Sequence, residues 1–179
     1  LGIAPLTILV HPDNPINDLT VEEVRKIFRG QLINWRSIKN AKGEPGPDLR
    51  IRPVGRLHCK IRPGHWRQIL DNEDLFSPRL HGVGAIQDMV TSVADYRGAV
   101  GWVEAWNITR FAHLGKVRAV RINGVDPMNP KALASGAYPF YRTQNVTTWE
   151  QDGLSNPHAD KLLAYLRKRV ASRTDDATH

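Results

Sequence analysis

The sequence predicts a single α/β domain with a mixed sheet flanked by helices. Three observations lead there. Strand-length apolar runs alternate along the chain with segments whose apolar residues recur every three or four positions. The connecting stretches are short and carry Gly, Pro, Asn and Asp. The chain has 179 residues, 41% of them hydrophobic, enough to enclose one core and too few for two ordinary domains.

Leu6-Thr7-Ile8-Leu9-Val10 reads as a buried strand, closed by the turn-rich His11-Pro12-Asp13-Asn14-Pro15. Thr20-Val21-Glu22-Glu23 is a capping box: the Thr20 hydroxyl accepts from the Glu23 N–H, and Glu23 reaches back. It opens a helix over 20–29, with Val21, Val24, Ile27 and Phe28 on one face and Gly30 as its stop. Residues 39–48 form a polar loop, and Leu49 to Val54 alternates as a strand does. Pro63-Gly64 opens a helix to residue 71, with Trp66, Ile69 and Leu70 facing inward. Ile86, Met89, Val90 and Val93 form the stripe of a helix over 84–95. Arg97-Gly98 then turns into the strand Ala99–Val103. Val117 to Ile122 is a further strand, followed by the turn Asn123-Gly124. Ala159, Leu162, Leu163, Leu166 and Val170 line a last helix over 157–171. Residues 1–173 are read as the domain and 174–179 as a flexible tail.

Lys plus Arg outnumber Asp plus Glu by 25 to 18, a net charge of +7, which favours anionic partners. The lone Cys59 excludes an internal disulfide framework and any Cys-rich zinc site, and the spacing of His58, Cys59 and His65 fits no standard zinc pattern. No apolar run approaches the ~20 residues of a membrane span. The chain starts at Leu1 without a Met, as a processed product or the ordered part of something longer would. No carboxylate pair, Ser-His-Asp arrangement or phosphate-cradling glycine loop is present, so neither an enzyme nor a cofactor is predicted. No helix-turn-helix, RNA-recognition or zinc-finger pattern accompanies the charge, so nucleic acid is not an expected partner.

The basic residues concentrate where chemistry is expected. Leu49 to Leu70 contains Arg50, Arg52, Arg56, Lys60, Arg62 and Arg67 and no acidic residue. Alternation alone assigns Arg50 and Arg52 to the solvent face of their strand. Arg56, Lys60 and Arg62 instead sit in the loop before a helix start, where backbone donors and side-chain charge converge on one anion. Cys59 reads as a structural cysteine. Of five tryptophans, Trp35, Trp66 and Trp102 read as core, while Trp106 and Trp149 lie near loops.

Five stretches, in order, resemble the PstS-like phosphate-binding proteins of the type 2 periplasmic binding fold. They are Leu6 to Ile16, with its strand and Asn-Pro turn; Leu19 to Trp35, with the pattern Leu-Thr, Ile-Phe-x-Gly and Asn-Trp; and Ile51 to Arg56, the strand leading to the ligand loop. Gly98-Ala99-Val100-Gly101-Trp102-Val103 follows, and then Val120 to Pro127 with Gly136-Ala137-Tyr138-Pro139-Phe140-Tyr141-Arg142. The resemblance covers residues 6–170 and implies one lobe of the two-lobed fold plus a C-terminal extension. It also implies an extracytoplasmic phosphate- or oxyanion-binding module of an ABC transporter.

The family's first third, which builds much of the opposing lobe, has no counterpart here. Its ligand loop reads Arg-x-x-x-Ser-Gly-Thr; in this chain Arg56 matches the arginine, while Lys60, Ile61 and Arg62 replace the Ser-Gly-Thr. Long basic side chains preorganise poorly compared with hydroxyls and backbone N–H groups, so phosphate binding is expected to be weak or lost. The alternative is a non-catalytic accessory subunit of a larger, membrane-associated complex. In that reading Leu57, Ile61 and Trp106 contact a protein partner on the face the first lobe would cover.

Overall fold

The computed structural model describes residues 2–40, 42–56, 64–71, 75–146 and 156–176, with the side chains of 64, 65 and 170–176 outside that description. The chain falls into two compact units, Pro5–Tyr141 and Leu1–Ala4 with Arg142–His179.

The sheet is mixed. Its strands are β1 (Gly2–Val10), β3 (Arg52–Arg56), β4 (His81–Val83), β5 (Ala99–Glu104), β6 (Arg118–Ala119) and β8 (Tyr141–Gln144), in the order β4-β3-β5-β1-β6, with β8 also paired to β1. β3 runs parallel to both β4 and β5, pairing Arg56 with Val83 and Arg52 with Ala99. β5 is antiparallel to β1, which is antiparallel to β6. A second, two-stranded parallel sheet joins β2 (Asp18–Leu19) to β7 (Arg121–Ile122).

Three helices pack on the larger unit's strands and on each other. α1 (Val21–Phe28) starts at the capping box read from the sequence: Thr20 Oγ1 accepts from Glu23 N at 3.1 Å, and Glu23 Oε2 accepts from Thr20 N at 2.8 Å. α2 (Gly64–Leu70) is tied to α1 at its C-terminal end, where Arg25 Nε donates to Ile69 O and Arg29 Nη2 to Leu70 O. Those two arginines satisfy carbonyls that the helix itself leaves open. α3 (Ile86–Asp95) buries Met89, Val90 and Val93 of the predicted stripe and half-buries its first member, Ile86. It lies so close to β5 that a Cβ on Gly101 would stand 2.7 Å from Met89 Sδ and 2.9 Å from Val93 Cγ2. Trp35, Trp102, Tyr138, Phe28 and Phe140 are the largest fully buried side chains.

Several elements differ from the sequence expectation. The strand expected over 49–54 is displaced to 52–56. Leu49 and Ile51 spend their backbone groups on the 33–35 segment instead: Trp35 N donates to Leu49 O, and Ile51 N to Ile33 O. The strand expected over 117–122 breaks at Val120, because the chain changes sheets there. Val120 N bonds Ile8 O, and Arg121 N bonds Asn17 O. Asn123 and Gly124 both adopt positive φ (52° and 77°), the two-residue turn that closes Ile122 on Val125. β4, α4 (Trp106–Arg110), α5 (Pro130–Ala134) and β8 are too short to leave a periodic signature. α6 (Pro157–Asp176) runs past residue 171 and includes 174–176 of the expected tail.

Candidate anion site

The three parallel strands β3, β4 and β5 end on one side of the sheet, and ligands of open α/β sheets gather at such carboxyl ends. β3 ends at Arg56, whose side chain is half-buried and has no hydrogen-bond or ion-pair partner among the described residues. Its backbone is fixed: Trp66 Nε1 donates to Arg56 O at 3.1 Å. Trp66 reaches that carbonyl by crossing Gly55, where a Cβ would come within 2.4 Å of the indole. Edge contacts with Phe28 and Trp102 at 5.6 and 5.7 Å between ring centres hold the indole there. The strand, the glycine and the tryptophan together fix where the polypeptide leaves the sheet.

Of the residues expected to bind an anion, Arg56 is therefore placed, while Lys60 and Arg62 lie outside the described residues. So do Leu57 and Ile61, two of the three expected partner contacts, and His58, Cys59 and Trp149. The third contact, Trp106, follows the end of β5, at the same end of the sheet as Arg56. It is 49% exposed, donates Nε1 to Glu104 Oε2 at 2.9 Å, and lies under the Arg110 guanidinium at 5.2 Å. Glu104 is an acidic group at this end that the spacing of the sequence did not single out.

Two arginines have roles that sequence reasoning missed. Arg118 reaches the expected Asn-Pro turn and donates Nη2 to Asn14 O and, at 2.7 Å, to Ile16 O. Burial pulls its pKa below the ordinary guanidinium value. Pairing of a β6 residue with a turn about a hundred positions earlier leaves no local signal. Arg52 corrects the reading of a solvated strand face. It is half-buried, its guanidinium stacks 3.9 Å over the Tyr96 ring, and its Nη2 lies 3.2 Å from His81 Nδ1. Alternation showed the face but not what the neighbouring strand and helix end bring to it. Among the described residues no group of three or more His, Cys, Asp or Glu is placed to hold a metal, and no helix is long and apolar enough to cross a membrane.

Comparison with known proteins is decided by one match: the model of the PBP superfamily domain aligns with residues 1–169. The chain belongs to the PBP superfamily. Within it, this PBP domain is 28% identical over 168 residues to the phosphate-binding protein PstS of Bacillus subtilis, an alignment covering 90% of this chain and 50% of that protein. Its fold is similar to the crystal structure of an ABC-type phosphate transport receptor from Vibrio cholerae, with a TM-score of 0.65, 23% identity, and coverage of 79% and 55% of the two chains. It is also similar to PstS from Borrelia burgdorferi, with a TM-score of 0.66, 18% identity and the same coverage. The PstS-like resemblance of the five motifs is thus borne out, as is the mixed α/β fold. The PBP domain spans about half the length of these relatives.

Proposed function

We propose that this chain is an extracytoplasmic phosphate- or oxyanion-binding module of the PstS type, acting as a receptor domain and not as an enzyme. Residues 1–173 form its binding-protein-like part, and its anion site consists of Arg56 with Lys60 and Arg62. One observation carries the reading: β3 delivers Arg56, without a partner among the described residues, to the carboxyl end of a parallel strand trio in a chain related to PstS. The relatives are by name phosphate-binding proteins and transport receptors. Binding is weak, because Ile61 stands where the family places a glycine, and the long basic Lys60 and Arg62 stand where it places two hydroxyls. Such side chains lose about 2 kcal/mol of rotamer freedom when ordered. Calorimetric titration with phosphate and with sulfate tests this. The expected result is measurable, weak binding that Arg56→Ala lowers about ten-fold, as loss of a charge-assisted hydrogen bond does. Tight binding indifferent to Arg56→Ala places the site elsewhere.

A second reading is favoured by Trp106, a large aromatic half exposed beside a cationic side chain. In it the same end of the sheet contacts a protein partner, and the chain is an accessory subunit of a larger complex. Native purification at low salt with mass spectrometry of the intact species tests it; recovery of the monomer alone ends this reading.

A further inference from the structure

We propose that a cavity at the amino end of β3, remote from Arg56, binds a small amphiphilic anion: an apolar body carrying one carboxylate or phosphate head. Arg52 and Arg56 are the first and last residues of β3, so the two places lie roughly 13 Å apart along the strand. The inference goes beyond the proposed function and does not depend on it.

The cavity has a volume of about 340 Å³, within the range of small-ligand sites. Among the described residues its charged lining is of one sign: Arg50, Arg52 and Arg79 face it, and no carboxylate does. Arg50 and Arg79 have no side-chain hydrogen-bond or ion-pair partner among the described residues, and Arg52 has only neutral ones. A guanidinium has donors alone, so the 3.2 Å contact with His81 requires that Nδ1 accept, which leaves the Arg52 charge uncompensated. Three cations of one sign around a concave, low-dielectric surface focus a positive potential into it.

Apart from Ser77 and two glycines, the rest of the described wall is apolar or aromatic. Ile27 and Ile51 are buried beneath it, and Ile33, 53% exposed, and Tyr96, 48% exposed, flank the opening. Arg52 already stacks on Tyr96, so the aromatic ring and one cation are held in a fixed relation before any ligand enters. A bare inorganic anion would leave the apolar wall wet, and an uncharged apolar molecule would leave three cations unpaired. An amphiphilic anion satisfies both halves.

The frame is rigid. Ser77 N donates to Phe28 O at 2.7 Å, Ile51 N to Ile33 O at 2.8 Å, and Arg52 N to Gly98 O at 3.0 Å. These bonds stitch together the four segments that line the cavity. Gly98 permits the closest approach, since a Cβ there would stand 2.2 Å from Arg50 O. A wall fixed in advance spares a ligand the cost of ordering it.

The test is a titration of the 15N-labelled chain with benzoate, phenyl phosphate, benzamide and inorganic phosphate, followed by amide NMR shifts. Benzoate, phenyl phosphate or both should saturably shift the signals of Ile33, Ile51 and Tyr96, and the stronger of the two names the head group. Benzamide and inorganic phosphate should leave those signals unmoved. The double variant Arg50→Gln/Arg79→Gln alters two exposed side chains and should melt at the wild-type temperature while binding about ten-fold more weakly. Arg52→Gln should weaken binding further. If Arg52→Gln also lowers the melting temperature, the double variant decides. Absence of saturable shifts with both anions overturns the proposal. So does benzamide binding as well as benzoate, or binding unchanged in the double variant.

Discussion

Tyr138 shows how one residue ties a family motif to the core. It is fully buried, and its hydroxyl donates to Leu6 O at 3.0 Å while Leu6 N donates to Phe140 O at 2.8 Å. The Tyr-Pro-Phe stretch is thereby bonded to β1 on both sides. Burial, and to a lesser degree the charge of Asp126, push the Tyr138 pKa well above the ordinary phenol value. The sign of the consequence is fixed. Above about pH 10 the unfolded chain loses the phenolic proton while the folded chain keeps it. The contribution is complete below that pH and declines as pH rises toward the folded value, by up to ~1.4 kcal/mol per unit. Tyr138→Phe should cost about 1 kcal/mol at neutral pH through the lost hydrogen bond. It should also lose stability less steeply than wild type above about pH 10. Urea denaturation of both proteins on either side of that pH measures the difference; identical slopes would refute the assignment.

At the scale of elements, α3 and β5 meet through a glycine. Adding a methyl at Gly101 drives a carbon into Met89 and Val93, and both are fully buried. Gly101→Ala should therefore destabilise by about 1–3 kcal/mol, the usual cost of overpacking. Each kcal/mol lowers Tm by roughly 2–4 °C in a chain of this size. Gly2→Ala, with nothing within 4 Å of the new carbon, is the control and should melt as wild type does. A Gly101→Ala protein that melts with the control would show that the two elements have room between them. The same pair shows what the sequence made legible. The α3 stripe and the β5 apolar run were plain because each is long enough to repeat, and the Thr20 capping box was plain because its two bonds are local. The three-residue β4 and the break at Val120 were hidden, since each is set by partners distant in sequence. For the candidate site, Arg56 was legible through its family motif, although alternation ended the strand at Val54 and left Arg56 to the loop, where the structure makes it the last residue of β3. The role of Trp66 in holding its carbonyl was not, because it depends on a glycine one strand position away and on three rings brought together by folding. The cavity around Arg52 was invisible for the same reason: its lining comes from four separated segments.

Across the whole molecule, apolar burial is distributed unevenly between the two units. The buried core cluster runs from Leu6 to Phe140, inside Pro5–Tyr141, while in the other unit Ala4 is the buried apolar residue among those described. In the other unit, α6 is the principal described element, and none of its described side chains is buried. Ala159, Leu163 and Leu166 are half-covered, whereas Leu162 and Tyr165 are 55% and 58% exposed. Over the described positions 157–169 the helix has no buried stripe, and isolated helices are marginal in water. The amides of α6 should therefore exchange through local opening, while those of β1, β5 and α3 wait for global unfolding. Hydrogen exchange followed by mass spectrometry separates the two. Peptides from residues 157–169 should exchange at least about ten-fold faster than those from 99–104, a gap of only ~1.4 kcal/mol in opening free energy. A partner that covers Leu162 and Tyr165 would slow exchange in α6 alone, which makes the same measurement a reporter of assembly. Equal protection of both segments in the purified chain would mean that α6 is already held as firmly as the core, and that its exposed leucine and tyrosine need no cover.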